Sequence, residues 1–169
     1  MREAVKRLES DRMLTVYPRR GTFIADVNIR DLKAISDAPR VLEAFAARRA
    51  AELATEADRQ VLRECIQALT TAPPESNEAS MTLDEQIHRA VYATMRNSYV
   101  EATLIQYFNL SNRIWNFALS VMAPITGNVH EHAALLRAII EGNADRAAFL
   151  AEEHVTNFEQ RVRYALQHS

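Results

Sequence analysis

Glycine and proline are scarce in this chain of 169 residues, at 3 and 5. That disfavours a turn-rich β protein, whose tight connections depend on both. Cys65 is the sole cysteine, so an internal disulfide and a cysteine-based zinc site are both excluded. No apolar run reaches the roughly 18–20 residues of a membrane span, and the first residues lack the layout of a secretory signal. The expectation is a cytoplasmic protein with no membrane partner. What the chain does have is ordinary for a globular domain: 48% hydrophobic and 25% charged residues, rich in Ala, Leu, Glu and Arg. Its length fits one full domain with a short appendage.

The net charge of −2 conceals an uneven distribution. Residues 1–30 hold seven Arg/Lys against four acids, whereas the remainder holds 13 basic and 18 acidic side chains. A basic head on an acidic body suggests an anionic partner for the head, although a solvated N-terminal helix has the same composition.

Val5 and Leu8 have helical spacing within residues 1–12. In residues 14–27, Leu14, Val16 and Tyr17 precede the turn Pro18-Arg19-Arg20-Gly21, and Thr22, Phe23, Ile24 and Val27 follow it, which reads as a β-hairpin. From Asn28, a capping residue, the period becomes helical, and Pro39 is expected to break or kink the first helix after Asp37. A further piece over 39–53 sets Val41, Leu42, Phe45 and Ala46 on one face. Thr55 with Asp58 three residues on is a capping arrangement for a helix through Leu69, with Val61, Leu62, Cys65 and Ile66 inward. Residues 71–80, with two prolines, read as a loop. Helices follow over about 81–96, 99–122 and 128–141, the last ending at Gly142. Asn143 or Asp145 opens a final helix. The fold expected is all-α, an antiparallel bundle of six to seven helices preceded by a short helix and hairpin.

Three helices of this pattern each turn a histidine toward the core. Asp84 and His88 are four apart on a face that continues through Val91, Tyr92 and Met95. His132 leads the stripe Leu135, Leu136, Ile139, and His154 lies between Leu150 and Phe158. His130 should face elsewhere, and His168 lies in the tail. A single buried histidine is ordinarily satisfied by a hydrogen bond. Three with a carboxylate in an apolar bundle would be costly to leave unpaired, and one divalent ion satisfies all four. The donors suit Zn, Ni, Mn or Fe, zinc foremost, and suit calcium poorly. Open coordination positions would go to water or to an oxygen-rich small molecule. Arg40 is placed to fork onto a carboxylate there, or else to pair on the surface with Glu43 or Asp37. Arg113, near Ile114, Trp115 and Phe117, invites the same thought.

The opening MREAVKRLESDRMLTVYPRRGTF resembles the end of a GntR-type winged helix-turn-helix. Arg2-Glu3-Ala4 through Arg7-Leu8-Glu9 matches its recognition helix, and Pro18-Arg19-Arg20-Gly21-Thr22-Phe23 matches its wing. The rest resembles the FCD ligand-binding domain of the same regulators. Arg40-Val41-Leu42-Glu43 fits its first helix, and Asp84, His88 and Asn97 fit a D-x3-H…N pattern. Glu131-His132, Ala138-Ile139, Gly142-Asn143, Ala147 and His154 fit its closing pattern. The resemblance implies a homodimeric transcription regulator whose metal is held by Asp84, His88, His132 and His154, the four residues the stripes select. It also implies a small carboxylate or sugar-acid effector against the metal, where Arg40 and Arg113 are the candidate contacts, and, in the complete protein, operator DNA met by Arg2, Lys6, Arg19, Arg20 and Gly21. The division expected is a partial winged helix over 1–27 and an FCD-like domain over 28–169. Two helices precede the recognition helix in that family, and this chain starts within it. The expectation is therefore a truncated gene or misplaced start, with Val5, Leu8 and Leu14 deprived of packing partners.

A metalloenzyme, a hydrolase or hydratase using the same four ligands, is the alternative. It would need a general base beside a metal-bound water. Glu85 and Glu131 adjoin ligands in sequence but lie off the inward stripe, which favours a regulator over an enzyme.

Overall fold

Residues flanking the turn at Pro18–Gly21 pair as expected. In the computed structural model, which describes residues 2–26, 32–71, 76–119 and 128–167, β1 (Leu14–Tyr17) runs antiparallel to β2 (Gly21–Ile24). Leu14 faces Ile24 and Tyr17 faces Gly21. Gly21 has φ of 112°, a backbone conformation that glycine adopts without cost. Ahead of the hairpin lies α1 (Arg2–Ser10), and after it come α2 (Leu32–Leu53), α3 (Glu56–Thr71), α4 (Asn77–Thr94), α5 (Ser98–Leu119), α6 (Asn128–Ile140) and α7 (Ala144–Gln167). The all-α bundle of six helices, with the short helix and hairpin before it, is as expected. Among the described residues no helix is long and apolar enough to cross a membrane.

Local signals explain the ends. Thr55 and Asp58 form a reciprocal capping box, with Thr55 N–H donating to Asp58 Oδ2 at 2.9 Å and Asp58 N–H to Thr55 Oγ1 at 3.3 Å. Asn97 Oδ1 accepts from the amides of Tyr99 and Val100 and so opens α5. At Gly142, φ is 73°, and the amides of Gly142 and Asn143 return to the carbonyls of Ile139 and Ala138, closing α6 in a Schellman turn. Asn143 then caps α7 through the amide of Arg146.

Four expectations need correction. Pro39 does not end a helix: it lies buried within α2, which runs unbroken from Leu32 to Leu53. A proline inside a helix costs ~3 kcal/mol, and α2 packs along α7 more extensively than any other helix pair, a tertiary gain available only to an unbroken rod. Residues 71–80 are not all loop: α3 reaches Thr71, and Ser76 caps α4 through the amide of Ala79, so that helix begins at Asn77. The inward face of α2 is also rotated. Val41 is 65% exposed and Phe45 40%, while Glu43, Ala46, Ala47, Ala50 and Ala51 are buried. Small alanines let helix axes approach closely, so they claim the interface ahead of the larger apolar residues. In α3, Val61 is likewise exposed while Leu62 is fully buried. The expected cap at Asn28, Val27 and His168 fall outside the described residues.

Two apolar clusters make the core. The larger gathers Ala46 and Ala50 of α2, Leu62, Ile87, Val91, Met95, Leu104, Leu136, Ile139 and Ala151. The smaller gathers Leu32, Ile114, Trp115 and Val162, with Ile35, Met81 and Phe158 packed against it. Helices α2, α4, α5 and α7 contribute to both. Along α2, α4 and α7, Glu43, Asp84 and His154 fall between residues of the two clusters, and His88 follows Ile87 of the larger one.

Candidate metal centre

Asp84 and His88 lie one turn apart on α4, His132 in the second turn of α6, and His154 midway along α7. The three histidines are 2–8% exposed, and the Asp84 side chain is 26% exposed. One ligand atom from each of the four lies within 4.8 Å of all the others. Asp84 sits between two of the rings, with Oδ1 3.2 Å from His132 Nε2 and Oδ2 3.8 Å from His88 Nε2. The ring centroids of His132 and His154 are 4.4 Å apart, and each is 5.5 Å from that of His88. Bonds of about 2.1 Å set tetrahedral donors about 3.4 Å apart and trans donors about 4.2 Å apart, so the widest pairs need to close by about 1 Å, within reach of side-chain rotation. Three imidazoles and one carboxylate are therefore placed to hold a single divalent ion.

Around them is a layer of partners. His154 Nδ1 lies 3.0 Å from Glu131 Oε2. Arg161 holds both oxygens of that carboxylate, at 2.8 and 3.1 Å, and Asn157 donates to Oε1 at 3.1 Å. Burial would raise the Glu131 pKa, but hydrogen bonds from His154 and Arg161 bring it down to about 2. On the other side, His88 Nδ1 lies 3.2 Å from the Tyr92 hydroxyl and 3.4 Å from Glu43 Oε1, and Tyr92 donates to the same Glu43 oxygen. Burial alone would press the His88 pKa down, yet the neighbouring Glu43 and Asp84 carboxylates lift it to about 9. A metal-binding histidine whose other nitrogen meets a carboxylate is a recurrent arrangement, since the partner fixes ring orientation and basicity. His88 and His154 both have it, so the residues present fit a metal on outer contacts as well as on donor chemistry.

Of the residues named from sequence, the structure brings Asp84, His88, His132 and His154 together, and His130 is exposed as expected. Arg40 pairs with neither Glu43 nor Asp37: its Nε lies 3.9 Å from Glu152 on α7, with its side chain 44% exposed. Arg113 donates to the carbonyls of Arg12, at 3.0 Å, and Ala25, tying α5 to the base of the hairpin. It lines, with Arg12, Ala25, Ile35 and Tyr107, a cleft of about 680 Å³ between that base and helices α2 and α5. Arg2, Lys6, Arg19, Arg20 and Gly21 are exposed on α1 and at the hairpin tip. Sequence reasoning missed Glu43, Tyr92 and Glu131 as partners of the cluster. Glu43 was legible in principle, since it lies three and four residues before Ala46 and Ala47, on the buried stripe. Glu131 is set off the α6 stripe, and what draws it in is Arg161 from α7.

The FCD domain family matches residues 34–157. Among curated proteins none matches the sequence. Several solved structures share the fold. Escherichia coli McbR/YncC superposes with a TM-score of 0.84 at 20% identity, covering 100% of this chain and 84% of that one. A GntR-family transcriptional regulator from Pseudomonas syringae pv. tomato gives 0.68 at 22% identity over 98% of this chain and 70% of its own. Streptococcus agalactiae GntR gives 0.65 at 18% identity, covering 94% and 80%.

Proposed function

This chain belongs to the FCD-domain family, and from that membership we propose that it is part of a GntR-type transcription regulator whose helical domain binds a divalent metal and a small carboxylate or sugar-acid effector. The observation that carries the reading is the convergence of Asp84, His88, His132 and His154 from three helices onto one point. Imidazole and carboxylate donors together suit zinc first, then nickel, manganese or iron. When bound, such an ion supplies a Lewis-acidic anchor for an anionic ligand. The four side chains supply the cage, and Glu131 and Arg161 hold His154 in place.

Arg40 is the residue assigned to the effector. Its contact with Glu152 is long and half-exposed, so little is lost when the guanidinium turns to a bidentate carboxylate. Arg113 is assigned instead to the join with the N-terminal unit, where two carbonyls already take its donors. In the complete protein that unit, residues 1–27 here, would meet operator DNA through Arg2, Lys6, Arg19, Arg20 and the Gly21 turn, whose exposure leaves them open to phosphates and groove edges. Residues 28–169 form the effector domain, and the working assembly is a homodimer.

The test combines metal analysis with a thermal-shift screen of small carboxylic acids, with and without chelator. The purified chain should carry close to one divalent ion, and acids should stabilise it only while the ion is present. His132→Ala should lose both. Unchanged metal content and unchanged acid response in that variant would refute the assignment.

A further inference from the structure

Resting on the reading of the cluster as a metal centre, we propose that Glu43, acting with Tyr92, is a positioning residue that holds His88 in the tautomer whose Nε2 faces the ion. The case is a count of protons. A tyrosine hydroxyl has one to give, and Tyr92 gives it to Glu43 Oε1. A carboxylate oxygen only accepts. The contacts of His88 Nδ1 with the Tyr92 oxygen, at 3.2 Å, and with Glu43 Oε1, at 3.4 Å, are therefore satisfied only by a proton on Nδ1. A neutral imidazole protonated there keeps its lone pair on Nε2, and Nε2 is the atom that faces Asp84. All three groups are shielded from water, at 8% exposure for Glu43 and His88 and 1% for Tyr92, so solvent does not compete for these bonds.

The relay crosses between elements. Glu43 stands on α2, whereas Tyr92 and His88 stand one turn apart on α4. Helix α2 thus contributes no ligand of its own but sets the orientation of one. A glutamine at position 43 keeps size and the acceptor oxygen shared by Tyr92 and Nδ1, but removes the negative charge. The hold on the Nδ1 proton then weakens, and with it the basicity of Nε2 toward the ion.

The experiment uses the full chain with Zn²⁺ and Co²⁺, each titrated in competition with a chromophoric chelator. In parallel, nitrogen-15 imidazole spectra of the metal-free protein, taken at a pH high enough for the His88 ring to be neutral, locate its one remaining proton, expected on Nδ1. Glu43→Gln should weaken affinity by about 10–100-fold, the usual scale for outer-sphere partners, with the helical circular dichroism retained. Unchanged affinity in that variant, or a proton on Nε2 in the unaltered chain, would overturn the proposal. Should Glu43→Gln fail to fold, Tyr92→Phe carries the test: a smaller loss supports the relay, and wild-type affinity refutes it. His132→Ala separates the two levels. If the unaltered chain binds the ions and His132→Ala does not, while Glu43→Gln binds normally, the positioning role falls and the metal centre stands. If the unaltered chain binds neither ion, both fall.

Discussion

At the start of α3 the first amides of the helix need acceptors, and Asp58 supplies one while its own amide is taken by Thr55. The same Oδ2 receives Arg96 at 2.6 Å, a residue held at φ of 55° just past the end of α4. One carboxylate therefore closes a cap and joins two helices, and the Thr55 hydrogen bonds, with Arg96, hold its pKa below the ordinary value. The sign follows: stabilisation is complete above the unfolded-state pKa of about 4 and is lost as pH falls through the lower folded value. Asp58→Ala should cost about 1–2 kcal/mol at pH 7, and the gap between variant and parent in urea unfolding should narrow toward pH 3. A gap independent of pH would rule out the ionised cap. This pair was legible in sequence because its partners are three residues apart. Glu43 was not, because its partners lie on another helix.

Among the elements, α1 and the hairpin form a unit held to the bundle through few bonds. Helix α1 ends in a Schellman turn, with Met13 N–H returning to the Leu8 carbonyl and Arg12 at φ of 57°. That turn presents the Arg12 carbonyl, and the end of β2 presents that of Ala25, to the fork of Arg113. Gln106 adds a bond to Asp11 at 2.7 Å. Arg113→Gln should therefore loosen the hairpin on the bundle: amide exchange in β1 and β2 should quicken several-fold while metal content and the α6–α7 core remain as before. Exchange equal to wild type would show that the fork holds nothing. From sequence, Arg113 reads as one polar residue among large apolar ones, and nothing local says that its partners lie some 90–100 positions earlier.

For the molecule as a whole, a largely buried group of ionisable side chains, Glu43, Asp84, His88, His132 and His154, adjoins the apolar core, and such groups are costly to bury unpaired. An ion binding the folded cage and not the unfolded chain adds stability by mass action, about 2.7 kcal/mol at a hundred times its dissociation constant. Chelation should thus lower the thermal midpoint by roughly 5–10 °C for a chain of this size, and His132→Ala should not respond to chelator. A midpoint indifferent to chelator in the unaltered chain would argue against an ion in the fold.

Local chemistry decided the hairpin, the caps at Thr55, Asn97 and Asn143, the stop at Gly142 and the inward turn of three histidines and Asp84. Each depends on residues within one or two turns of each other, and spacing along the chain reports such neighbours directly. The unbroken path of α2 through Pro39, the exposure of Val41 and Phe45, and the partners of His88 and His154 came only from the assembled bundle. There, contacts between distant helices outweigh local preference, and the alanine stripe of α2 sets how closely Glu43 can approach the cluster.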